Sequence, residues 1–158
     1  MLKVNRKVEY GLIALKHMHG KPKGQLSTVR EICERYGTPF DPLAHVLRIL
    51  NTKGILQSEQ GAHGGYRVAA NLEEVSFADL IEMIEGQLGF TDCIKLGDCG
   101  CTMTERCNIL SHMHAINQRL LRFLRAISLA ELVQHDSIWM KQGEAQGVPV
   151  TLGSGGAA

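Results

Sequence analysis

The feature that most restricts the fold is a change of apolar period at Gly54. Before it, three segments carry apolar residues at helical spacing. After it, ILQS and YRVA read as short strands on either side of a Gly-rich turn, EQGAHGG. A short helix, a turn, a second helix and then a hairpin is the order of a winged helix-turn-helix.

Each boundary in that order has a local cause. A first helix is predicted over residues 4–19, with Val8, Leu12 and Leu15 on one face and Gly20 as its stop. His17 and His19, near its end, are placed to complement the helix dipole. After the surface turn KPKGQ, Ser27 or Thr28 caps a second helix through Tyr36. Its expected inner face is Val29, Ile32, Cys33 and Tyr36, and Gly37 ends it. In the turn TPFDP, Asp41 is the expected cap of a third helix and Pro42 its first residue. That helix runs to Lys53 and buries Leu43, Val46, Leu47 and Leu50. The 158 residues, 44% hydrophobic and 5% aromatic, supply one ordinary and mostly aliphatic core.

Beyond the hairpin, SFADLIEMIEG pairs Ser76 with Asp79 as a helix start and buries Phe77, Leu80, Ile81 and Ile84. A long helix is predicted from about Glu105 to about Ala126. Its apolar positions are Ile109, Met113, Ile116, Leu120, Phe123 and Ile127, a heptad seam. The seam suits a second copy of the chain, since the front half has its own core; packing on the chain's own core is the alternative. SLAELV is a capped short helix. The predicted organisation is a winged helix-turn-helix domain over 1–86, a cysteine-rich loop over 87–107, a dimerisation helix with a short terminal helix over 105–134, and a mostly flexible tail over 135–158. The fold class is mainly α with a small β-hairpin wing.

Net charge is +1, but its distribution is uneven. Residues 1–67 hold eleven Lys/Arg against five Asp/Glu, a balance of +6; residues 68–158 hold six against eleven, a balance of −5. A basic front half suits a polyanion. With the helix-turn-helix order it points to DNA. The first residues carry Lys3, Arg6, Lys7 and Glu9 and no long apolar run, unlike a secretion signal. No stretch approaches the ~18 apolar residues of a membrane span. The expected location is the cytoplasm, with no membrane partner. No paired acid and base, phosphate loop or nucleophile elbow is present, so the chain does not read as an enzyme.

Four of the five cysteines fall within Cys93–Cys107, in DCIKLGDCGCTMTERC. In a reducing compartment such a cluster favours metal over disulfide. Structural zinc usually takes C-x₂₋₄-C pairs. The gaps here are five residues from Cys93 to Cys99, seven from Cys93 to Cys101 and five from Cys101 to Cys107. Wide gaps suit an iron–sulfur cluster, whose iron atoms are separate. Zinc is the second reading and plain reduced thiols the third. Cys33, on the inner face of the second helix, reads as a small core residue.

Together these pieces resemble the IscR/NsrR/RirA group of iron–sulfur transcriptional regulators over about residues 1–134. The resemblance rests on KVEYGLIAL, LRILNTKGIL leading into GAHGGYRVA, SFADLIEMIEG, the cysteine loop and LLRFLRAISLAELV. It implies a homodimeric repressor or activator on a double-stranded DNA operator. Each subunit would hold one [2Fe–2S] or [4Fe–4S] cluster whose loss, oxidation or nitrosylation alters DNA affinity. An iron–sulfur electron-transfer or carrier protein that kept the fold, and a zinc-stabilised regulator, are the alternatives.

The resemblance also implies site residues. Cys93 and Cys107 correspond to the outer two of the family's three cysteines, and either Cys99 or Cys101 is the middle one. A family histidine ligand three residues after the last cysteine is Leu110 here. Other members use an acidic residue of helix one from the partner subunit, and Glu9 holds that place; it is otherwise a solvated carboxylate. On the DNA side, base-reading positions fall on Pro42 and Ala44, and a wing arginine of some members is Gln60. Thr38, His45, Arg48, Lys53, His63 and Arg67 remain for phosphate or base contacts, with Lys3, Arg6 and Lys7 for the backbone.

Overall fold

A computed structural model of the chain describes residues 4–22, 24–61, 64–89, 91, 94, 101–103 and 106–134. The helices are α1 (Arg6–His19), α2 (Val29–Tyr36), α3 (Phe40–Thr52), α4 (Phe77–Glu85), α5 (Leu110–Arg125) and α6 (Leu129–Gln134). Strands β1 (Leu56–Glu59) and β2 (Gly65–Val68) pair antiparallel, with Leu56 opposite Val68 and Glu59 opposite Gly65. This is the expected mainly helical fold with a hairpin wing. The predicted tail, 135–158, lies outside the described residues. Among the described residues no helix is long and apolar enough to cross a membrane.

Side chains set most of the helix starts. Asn5 accepts from the Lys7 N–H, so α1 begins at Arg6 rather than at residue 4. Thr28 caps α2 in a reciprocal box with Glu31, and Ser76 caps α4 in the same way with Asp79. Ser27, the other candidate cap, has a different task. Its N–H donates to Tyr66 O and its carbonyl accepts from Tyr66 N–H, both at 2.8 Å. That rung ties the wing to the segment ahead of α2. It requires glycine at position 65, where a Cβ would stand 2.8 Å from the Ser27 oxygen.

The start of α3 departs from expectation. Its cap is Pro39, with no side-chain hydrogen bond, and Asp41 and Pro42 lie inside the first turn. Pro39 already holds the extended backbone a cap needs, at φ −69° and ψ 138°. Pro42 costs nothing within the first four residues, where N–H groups have no partner in the helix. Gly37 at φ +67° and Gly54 at φ +78° end α2 and α3 as expected.

One core joins α1, α2, α3, α4 and α6 with the base of the hairpin. Its fully buried members include Val8, Leu15, Ile32, Leu43, Val46, Leu47, Leu50, Leu80 and Leu129. The four residues expected on the inner face of α3 are all buried. On α4, Leu80, Ile81 and Ile84 are buried, while Phe77 only packs against the core's edge. Tyr36 is exposed rather than turned inward.

Helix α6 folds back onto the head. Leu129 N–H donates to Val75 O at 2.8 Å, and Ala130 N–H to Leu72 O at 3.0 Å. Its Leu129, Ala130 and Val133 join the core of α1 to α4. The short terminal helix therefore completes the winged domain.

Helix α5 is different. It begins at Leu110, later than the predicted start near Glu105, because Arg106 closes a tight turn onto Met103 O instead. It lies against α4. Asn117 and Leu121 are buried and Leu124 packs on the core. The seam residues Ile109, Ile116 and Phe123 face outward, at 55%, 46% and 63% exposure.

Candidate nucleic-acid interface and cysteine loop

The outer face of α3 follows from its inner one. With Leu43, Val46, Leu47 and Leu50 buried, the residues at intervals of four, three and four on the opposite side are Asp41, His45, Arg48 and Thr52, all exposed. His45, Arg48, Thr52 and Lys53 line a shallow depression of about 450 Å³ floored by Ile49 and Met83. Three of the predicted DNA contacts, His45, Arg48 and Lys53, are thus brought onto one surface. Thr52 lines the same depression and Asp41 lies outside it on the same exposed stripe, although the sequence reading selected neither as a DNA contact. The spacing that fixes the buried face was sufficient to find both.

The other predicted contacts are dispersed. Arg6 and Lys7 are exposed in the first turn of α1. Arg67 lies on β2, where its guanidinium donates to Gln57 Oε1 at 3.0 Å and pairs with Glu59. It stiffens the wing by joining both strands. Thr38 is only 8% exposed, and its hydroxyl donates to Cys33 Sγ at 3.6 Å. It seals the turn between α2 and α3 from within, so its hydroxyl does not face outward as a DNA contact would. Lys3 and His63 lie outside the described residues.

A part-buried polar clamp joins α1 to α2. His17, 6% exposed, meets the Glu31 carboxylate through Nε2 at 3.0 Å and the Tyr36 hydroxyl through Nδ1 at 3.2 Å. A carboxylate can only accept, so Nε2 carries the proton; in the neutral ring Nδ1 then accepts from Tyr36. Lys21 Nζ pairs with the same Glu31 oxygen at 2.6 Å and donates to Leu26 O at 3.0 Å. Burial pushes the Glu31 pKa up. Hydrogen bonds from Lys21 and His17, the Lys21 charge and the Thr28 backbone N–H together outweigh burial and hold it below its ordinary value. His17 is therefore a core residue that joins helices, where the sequence suggested a partner for the helix dipole.

Of the proposed ligands, Cys93 and Cys99 lie outside the described residues. Cys101 is exposed and Cys107 half-buried, three residues ahead of α5. Cys33 is of another kind: it packs against the core on α2, as expected of a small apolar residue. Glu9 is exposed in the first turn of α1. Among the described residues no three of His, Cys, Asp and Glu gather to hold a metal ion. The loop's donor set is thiol sulfur, soft chemistry that fits iron or zinc and not a hard cation.

The Rrf2 family model, described as an iron-dependent transcriptional regulator, matches residues 4–135. The transcriptional regulator NsrR of Bacillus subtilis is 23% identical over 143 residues, covering 89% of this chain and 96% of its own. NsrR of Shouchella clausii is 23% identical over 128 residues, covering 81% and 86%. Among solved structures, the cysteine regulator CymR of B. subtilis superposes with a TM-score of 0.68 at 20% identity, covering 87% of this chain and all of that one. IscR of T. potens does so at 0.58 and 26%, covering 84% and 87%. These relatives are transcriptional regulators and not enzymes. The wing, the helix-turn-helix and a family match over 132 residues agree: the chain belongs to the Rrf2 family of winged-helix transcriptional regulators.

Proposed function

We propose that the protein is a homodimeric operator-binding regulator whose DNA affinity is set by an iron–sulfur cluster on the cysteine loop. The observation that carries this reading is the position of Cys107. It lies three residues ahead of α5, the one helix among those described that leaves a row of large apolar residues exposed along its length. Cys93, Cys107 and one or both of Cys99 and Cys101 would supply thiolates, and the partner's Glu9 the remaining ligand if one thiol is spare. When bound, the cluster supplies a set of iron–sulfur bonds that iron loss, oxidation or nitric oxide disrupts.

The chain's own residues couple that loop to DNA. Pulling Cys107 inward sets the entry of α5, and Ile109, at its cap, is the first residue of the seam. Pairing two copies along Ile109, Ile116 and Phe123 places two heads about a two-fold axis. The axis sets the separation of the two α3 helices, and only one separation suits a pair of half-sites. His45, Arg48 and Lys53 then meet the duplex while Arg67 braces the wing. Phosphate contacts hold the register, and affinity falls steeply with salt.

The test is anaerobic purification with iron, sulfide and visible absorption measured together. The reading expects iron and sulfide in equal amounts with a brown chromophore, lost in Cys107→Ala. Colourless protein containing zinc would establish a zinc-stabilised regulator instead. Coloured protein that selects no sequence from genomic fragments would make it a carrier.

A further inference from the structure

The start of α3 leaves one carboxylate, placed in the first turn where the helix dipole favours a negative charge, without a hydrogen-bond or ion-pair partner among the described residues. Asp41 reads from sequence as the helix cap, but Pro39 holds that place and Asp41 is the second residue of the helix. Its carboxylate is exposed, and no described residue hydrogen-bonds or ion-pairs with it. It is the only acidic residue on α3 and the only aspartate among residues 1–67, in a segment with a balance of +6. It heads the outer stripe Asp41, His45, Arg48 and Thr52. A negative charge on the leading turn of a DNA-facing helix opposes every phosphate near it, and a hydrogen-bond donor on a base edge is the group it would favour there.

We propose that Asp41 is a specificity-determining residue that reads cytosine in the major groove. This rests on the reading of α3 as the helix that enters the groove. The residues of a recognition helix that reach base edges lie toward its N-terminal end. A carboxylate only accepts hydrogen bonds. In the major groove guanine offers two acceptors and thymine an acceptor and a methyl group, while cytosine offers the N4 amino donor alone. Adenine offers its amino group beside the N7 acceptor, which repels a carboxylate. Cytosine is therefore the base that Asp41 accepts and the others are those it rejects. Arg48 lies seven residues further along, about 10 Å at 1.5 Å per residue. That is about three base-pair steps of 3.4 Å. An arginine there suits guanine O6 and N7. Asp41 also weakens binding to random duplex, so it raises specificity twice, by one attraction and one general repulsion.

The experiment selects sites from a random duplex pool with the full-length protein as purified anaerobically. Wild type, Asp41→Asn and Asp41→Ala are compared, and affinities for the selected site and for random duplex are then measured at one fixed salt concentration. Wild type should enrich cytosine at one position of each half-site, with roughly tenfold to hundredfold preference over other bases. Asp41→Asn offers a donor and an acceptor and should move that position to adenine. Asp41→Ala should lose preference there, keep it elsewhere, and bind random duplex more tightly than wild type. An exposed, unpartnered side chain leaves folding intact, which coincident thermal unfolding curves verify. If all three proteins enrich the same base at every position, Asp41 does not read DNA. If wild type enriches nothing at all, the operator-binding reading falls, and this proposal with it.

Discussion

Helices α4 and α5 lie side by side, and both carry apolar residues at helical spacing, yet they use them in opposite ways. Leu80, Ile81 and Ile84 of α4 are buried among residues of α1, α3 and α6. Ile109, Ile116 and Phe123 of α5 face solvent, while its Asn117 and Leu121 turn inward. The apolar residues of α4 are covered within one chain; those of α5 are covered only on the side that meets α4. On our reading, α5 of another copy covers its outer row.

The two helices should therefore fail differently. Leu80→Ala removes a fully buried side chain, and about 2–5 kcal/mol of unfolding free energy should go with it. Urea unfolding should show that loss at every protein concentration. Ile116→Glu with Phe123→Glu should instead convert a dimer to a monomer in sedimentation, and abolish the concentration dependence of the unfolding midpoint. If that double variant lowers stability as Leu80→Ala does and leaves the oligomeric state unchanged, α5 is an ordinary surface helix and the contrast disappears.

A smaller effect separates the head's own elements. His17→Ala removes a buried ring with its bonds to Glu31 and Tyr36 and should cost about 1–3 kcal/mol, whereas Tyr36→Phe, which deletes one half-exposed hydrogen bond, should cost about 0.5–1.5 kcal/mol. Equal losses would mean that the Tyr36 hydrogen bond carries the whole effect, and the ring and its Glu31 contact none of it. The smallest effect concerns pH. The folded-state pKa of Glu31 lies below its ordinary value of 4.5. Its ionised form thus stabilises the fold above pH 4.5, and that contribution is lost as pH falls through the lowered folded value. The stability gap between wild type and Glu31→Gln should close over that acid range and stay constant above it. Because Glu31 is partly exposed, added salt should narrow the gap.

Much of the head was legible because its signals are local. Ser27 or Thr28 as a cap, Ser76 with Asp79, and the four apolar residues of α3 are all read within about two helical turns. Where the reading failed, the cause was distant or competitive. His17 finds Glu31 fourteen residues away and Tyr36 nineteen away, beyond the reach of any periodicity. Helix α6 packs on α1, more than a hundred residues earlier, so SLAELV could be recognised as a capped helix but not placed. Asp41 lost its expected cap to Pro39, because two prolines competed to define one turn. Thr38 looked like an outward contact, yet it faces Cys33 across the same turn. The site is legible by halves: the outer stripe of α3 follows from the buried one, while the thiol spacing identifies donor chemistry and not which sulfur atoms meet.

The most direct measurement of the central claim is operator affinity before and after cluster removal, on one anaerobic preparation at one salt concentration, with Cys107→Ala alongside. Coupling between a loop ligand and DNA commonly amounts to about 5- to 150-fold in affinity. A change within that range in wild type, with Cys107→Ala locked at the cluster-free value, is the predicted result. Equal affinity in both states of the wild-type protein would contradict the account, whatever the colour of the protein.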